Sequence, residues 1–174
     1  GVYVDPFPRE TKHGGAWMDG VLACAAGEAD PRQIGVLVAN VTPPVAGGDA
    51  LLAHHEVETL FHELGHLMHH CLSRAELRSQ SGTRVAWDFV ELPSQLLENW
   101  AWERPALELF AHHHRTGTPI PEELFAAMTR ARSFRAASAQ MRQLGLAAAD
   151  LQLHQGYCRD RDGDRLVRDA ASLN

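Results

Sequence analysis

His62-Glu63-Leu64-Gly65-His66 sets two imidazoles four residues apart, with a carboxylate beside the first. On a helix, four residues turn through about one revolution and rise about 6 Å, so both rings leave one face and can meet a single divalent ion at about 2.0 Å each. Glu63 projects about a third of a turn away, beside the ion, where it can take a proton from a metal-bound water. The chemistry implied is metal-assisted hydrolysis. A chain with 11 histidines in 174 residues yields about 0.05 such matches by chance, so the pattern carries weight.

A catalytic zinc takes a third protein ligand and keeps a fourth position open for water. A third histidine six residues past the second, with a glycine midway, is ruled out, because those places hold Leu72 and His69. Another known source is a carboxylate from a following helix, and the next predicted helix carries Asp88, Glu91, Glu98 and Glu103. Asp88, Glu91 and Glu98 lie three and seven apart and share a face, so spacing leaves the choice among them open. The competing reading is a non-catalytic zinc-binding module in which a fourth protein ligand closes the sphere. His69 is the nearest candidate, three residues past His66 and only partly on its face.

The elements that must position these residues follow from periodicity and breakers. Val57, Leu60, Phe61, Leu64, Leu67 and Met68 recur at three and four, predicting an amphipathic helix over 54–71. Gly65 inside it costs about 1 kcal/mol relative to alanine, which points to close packing against another backbone. Residues 72–85 read as a connection, and a second helix is expected over about 87–102, with Pro93 in its first turns. Pro105 and Pro121 open helices at about 105–115 and 121–133. The alanine-rich stretch 134–154 continues helical, and the Gly163-Asp164 break precedes a last short helix. Residues 1–5 and the β-branched run Gln33–Val41 predict two strands, with turn-rich chain between them. Two prolines and two glycines keep 42–49 out of any helix. The expected fold is α+β and predominantly helical, with a small sheet near the N-terminus.

Composition bounds the function. The chain is 45% hydrophobic and 22% charged, as for a soluble domain with a core. A net charge of −6 argues against a grip on nucleic acid phosphates. Apolar runs fall short of the roughly 20 residues a membrane span needs, so neither nucleic acid nor membrane is an expected partner. Three cysteines without a C-x-x-C pair indicate neither a disulfide framework nor a cysteine zinc knot, and a reducing, cytoplasmic location is expected. Gly1-Val-Tyr-Val-Asp5 reads as a strand entered in mid-course, so the chain is expected to be a fragment of something longer.

VETLFHELGHLMHH (57–70) followed by GTRVAWDFVELPSQLLENWAWE (82–103) resembles the catalytic core of the thimet oligopeptidase and oligopeptidase A family of zinc metallopeptidases. GVYVDPFPRETKHGGAWMD (1–19) is similar to the segment preceding that core, with Tyr3, Asp5, Arg9, Lys12 and Gly14-Gly15-Ala16-Trp17 in register. Leu64 replaces the commoner phenylalanine, away from the ligands. The resemblance covers nearly the whole chain. It implies one Zn2+ per chain, held by His62, His66 and Glu91, with Glu63 as the general base for hydrolysis of peptide bonds in short oligopeptides. It further implies a zincin-like fold: 1–174 as part of one catalytic domain, with strands and loops over 1–53, zinc-binding helices over 54–103 and a helical remainder over 104–174. Family members include endopeptidases and dipeptidyl carboxypeptidases and are several times longer. A helical portion precedes this segment, and a glycine- and tyrosine-rich stretch follows that helps to stabilise the oxyanion. The 174 residues alone are therefore expected to hold zinc but to turn over poorly, and their uncovered apolar surface is a candidate for self-association or for the missing parts of the parent chain.

Lesser expectations complete the set. Glu58 and Asp88, each one turn before a ligand, are candidate carboxylates for holding imidazole N–H groups. His69 and His70 are expected in structural or surface roles, and His112–His114 at a solvated helix end. Trp87, Trp100 and Trp102 are expected in core packing. Strand 33–41 is either sheet core or an edge that pairs with an extended peptide.

Overall fold

The first long helix, α1, spans His54–Cys71, the interval set by its apolar period. Its start is fixed locally: Glu56 reaches back to accept the Ala53 N–H at 2.7 Å, and it also accepts from the Thr42 N–H and hydroxyl. One carboxylate thus ties the loop after the sheet to the helix entrance. The computed structural model of the chain describes residues 1–28, 32–45 and 47–156. The predicted helix after Gly163 and the third cysteine, Cys158, lie outside them. Cys24 and Cys71 are thiols.

Three strands form the sheet: β1 (Val2–Asp5), β2 (Trp17–Leu22) and β3 (Ile34–Val38). Their order is β1-β3-β2, with β3 parallel to β1 and antiparallel to β2. One expectation is corrected here and one open choice is decided. The turn-rich chain between the predicted strands contains a third strand, β2, whose interior Gly20 hides it. And β3 is the central strand, so the edge role considered for 33–41 is excluded, since both its sides are already paired.

Leu37, Ala39 and Val41 pack with Leu67 of α1 as the buried core, flanked by Ala16, Met18, Leu52, Leu60 and Cys71. His70 pins helix to sheet. It is buried, and its Nε2 lies 3.1 Å from Leu22 O and 3.0 Å from Ile34 O, reaching carbonyls of β2 and β3. A Cβ on Gly20 would stand 2.6 Å from the His70 ring and one on Gly82 2.5 Å, so glycines make the space for this imidazole. Lys12, almost wholly buried, donates to Asp5 O and Phe7 O at 2.8 Å and also to Ala39 O. Asn40 donates to His13 O and Gly15 O. Together they fold residues 6–16 against the end of β3.

The connection 72–85 holds one 3-10 turn, Arg78–Gln80. α2 spans Leu92–Glu98 and runs into a 3-10 turn, Asn99–Trp102. The helix predicted over 87–102 therefore starts later, because Pro93 has no N–H to donate backward and its ring is tolerated only in a first turn. Residues 87–91 are turns. α3 is a single turn, Arg104–Leu107, shorter than expected, and His112 pairs with Pro119 in a bridge. His112–His114 accordingly lie exposed between that bridge and the turn that follows it, rather than at a helix end. Trp87 is 92% and Trp100 52% exposed, against the expectation of core packing.

Among the described residues, 121–156 form a separate unit. In it α4 (Glu122–Ser133) follows Pro121, and α5 (Ala136–Gly156) follows Arg135, whose positive φ of 57° turns the chain.

α1 and α2 meet backbone to backbone. A Cβ on Gly65 would lie 2.5 Å from Ser94 Cα and 2.7 Å from Pro93 O, which accounts for a glycine in mid-helix. Gly65→Ala is expected to lower stability by about 1–3 kcal/mol despite alanine's better helix propensity, because the clash is with main chain that cannot rotate away. A urea melt that shows a lower midpoint at unchanged slope checks this.

Candidate metal centre

Successive turns of α1 place His62 and His66 on one side, and the close contact at Gly65 brings the start of α2 against that side. Glu91, the residue before α2, extends its carboxylate between the rings. Its Oε2 lies 3.2 Å from His62 Nε2 and 3.2 Å from His66 Nε2, and the two Nε2 atoms are themselves 3.2 Å apart. Three donor atoms thus stand at the corners of an equilateral triangle. A tetrahedral ion with bonds of about 2.0–2.1 Å spaces its ligand atoms by about 3.3–3.4 Å, so the triangle fits one face of such a sphere. Among the described residues, these three form the one group placed to hold a metal ion. Of the four carboxylates on the predicted second helix, three of which spacing left open, the structure brings Glu91 to the imidazole pair. Glu103 is an exposed residue at the start of α3.

Electrostatics suit the same use. Burial holds the His66 imidazole below its usual range, with the Glu91 carboxylate opposing, which favours the uncharged ring that can offer a lone pair to a metal. Glu63 is buried on α1, and its carboxyl is pushed up by that burial, with His62 pulling down and Glu91 adding to the rise. A carboxyl poised upward within the field of His62 is suited to exchanging protons.

Ser94, fully buried one turn into α2, is a residue the sequence did not single out. Its hydroxyl lies 2.8 Å from Glu91 Oε2 and 2.9 Å from Glu91 O, holding the carboxylate oxygen that faces both rings. Its signal was available only as a serine three residues after a candidate ligand.

The two carboxylates expected behind the imidazoles are placed otherwise. Glu58 accepts the Trp102 Nε1–H at 2.7 Å. Asp88 falls in the turn before α2 and is exposed, while the buried Nδ1 of His66 has no hydrogen-bond partner among the described residues. The carboxylate on a ligand imidazole is instead Glu98, whose Oε1 is 2.6 Å from His62 Nδ1. His70 belongs to the sheet contact, and His69 lies against the Phe89 ring, outside the triangle.

The chain matches the profile of peptidase family M3 over residues 1–174. It is 42% identical to oligopeptidase A of Escherichia coli (strain K12), over 98% of this chain and 25% of that protein. Organellar oligopeptidase A, chloroplastic/mitochondrial, of Arabidopsis thaliana is 42% identical over 89% of this chain and 20% of its own length. A probable cytosolic oligopeptidase A of the same plant is 41% identical over 89% and 23%. The chain spans about a quarter or less of the length of these curated relatives. A match along the full chain, carried by a region that contains the converging triad, places this protein in peptidase family M3.

Proposed function

We propose that this chain is a zincin-like part of a metallopeptidase catalytic domain that hydrolyses peptide bonds in short oligopeptides, with one zinc ion held by His62, His66 and Glu91. The observation that carries the proposal is the 3.2 Å triangle of donor atoms, with Glu63, the residue after His62 on α1, buried. Bound there, zinc supplies Lewis acidity, polarising a carbonyl and easing deprotonation of water. Glu63 takes the proton from the attacking water on a carboxylate oxygen and returns it to the leaving amine nitrogen, so no covalent intermediate is needed. Its raised pKa makes it a stronger proton acceptor in the first half of that exchange.

The competing scaffold reading needs a fourth protein ligand. The count of three converging donors favours hydrolysis, since His69 is not among them. Oligopeptides as substrates are supported by the names of the relatives. A cytoplasmic location is supported by the plant relative named probable cytosolic, beside one named organellar. No helix among the described residues is long and apolar enough to cross a membrane.

In the intact protein, Glu63→Gln is expected to keep zinc at unchanged stoichiometry while kcat falls by about 10²- to 10⁴-fold. Elemental analysis beside a fluorogenic peptide assay reads both, and normal turnover would refute the role of Glu63. Ser94→Ala is expected to weaken zinc by about tenfold, through loss of the hydroxyl that holds Glu91. Competition with a chelator measures it, and unaltered affinity would show that the Glu91 carboxylate needs no such support.

A further inference from the structure

Glu98 follows Glu91 by seven residues, at the C-terminal end of α2, and its Oε1 stands 2.6 Å from His62 Nδ1. A carboxylate can only accept, so the hydrogen in this contact belongs to Nδ1. A neutral imidazole carries one N–H, which leaves His62 Nε2 as a bare lone pair. That atom is the one 3.2 Å from both His66 Nε2 and Glu91 Oε2. The alternative carboxylate, Glu58, is committed to Trp102 Nε1–H. His66 has no equivalent support, because its buried Nδ1 lacks a partner among the described residues. The two imidazoles of the triad are therefore unequal, and among the described residues only one is oriented from behind.

We propose, resting on the metal reading above, that Glu98 is the positioning residue of this site: it holds His62 in the Nδ1–H tautomer, aims its Nε2 at the ion, and strengthens that nitrogen as a donor. A carboxylate behind a ligand imidazole fixes ring orientation and raises ligand basicity. α2 then serves both halves of the triad. Glu91, at its start, binds directly, and Glu98, two turns on, acts through the first histidine of α1. The partial exposure of the Glu98 side chain leaves room to truncate it without opening a core cavity.

The test uses the 174-residue chain with zinc alone, titrated against a chromophoric chelator. Glu98→Ala is expected to weaken zinc by about 10- to 100-fold. Glu98→Gln, whose amide oxygen still accepts from Nδ1–H, recovers part of that loss, and Glu58→Gln leaves affinity unchanged. Long-range 1H–15N imidazole spectra of the metal-free chain give a readout that mere packing would not move. His62 carries its proton on Nδ1 in the unaltered chain and in Glu98→Gln, and shifts it to Nε2 in Glu98→Ala. Wild-type zinc affinity in Glu98→Ala, or an Nδ1 proton that persists there, overturns the assignment. If the unaltered chain takes up no stoichiometric zinc, the metal reading itself fails, and the tautomer spectra then decide alone for or against the hold of Glu98 on His62.

Discussion

The approach of α1 to α2 at Gly65 is the constraint on which the site depends. Main chain of Pro93 and Ser94 occupies the space where any other residue would carry its Cβ. Only at that separation does the residue before α2 bring a carboxylate oxygen to 3.2 Å from two imidazoles on α1. The same approach buries Ser94, so its hydroxyl turns back on Glu91 instead of meeting water. A glycine that weakens the helix as an isolated segment is thus what allows the helix pair to form a cluster of donors.

Local rules explain which elements were legible. The bounds of α1 could be read because its apolar period and the backward-reaching Glu56 agree, and nothing in the tertiary structure overrides them. The strand β2 could not be read, because Gly20 and Asp19 interrupt its apolar pattern, and the reason for Gly20 is the His70 ring, brought from fifty residues away. The start of α2 was misjudged through Pro93: a helix drawn from residue 87 would have needed the proline past its first turn. That error carried into the site. Asp88 shares a helical face with Glu91 only if the helix already exists at residue 88, and there the chain is in a turn.

The histidine and glutamate types at 62, 63, 66 and 91 were visible from spacing and family resemblance, and the structure brings the two imidazoles and Glu91 together. The supporting shell was not visible. Whether Glu58 or Glu98 faces His62 depends on how the second helix crosses the first, and periodicity carries no information on that crossing. Glu58 goes to an indole N–H because the 3-10 turn after α2 swings Trp102 over it. The tryptophans show the converse failure: size and apolarity suggest burial, but Trp87 lies in the turn before α2 and projects to the outside.

The seat of His70 has a consequence for how this sequence can vary. One ring fills the room left by missing side chains at 20 and 82 and touches the space over Gly35, at points scattered across more than sixty positions of the chain. Exchange of Gly20 or Gly82 for a bulkier residue collides with an imidazole that two carbonyls already hold in place, and at Gly35 the first collision is with the Leu67 side chain, with the ring close behind. Shrinking the ring would instead open a hole and strand those carbonyls. The histidine and its glycines are therefore coupled: drift at one position is tolerated only with simultaneous change at another, and single-site diversification there will return few folded descendants.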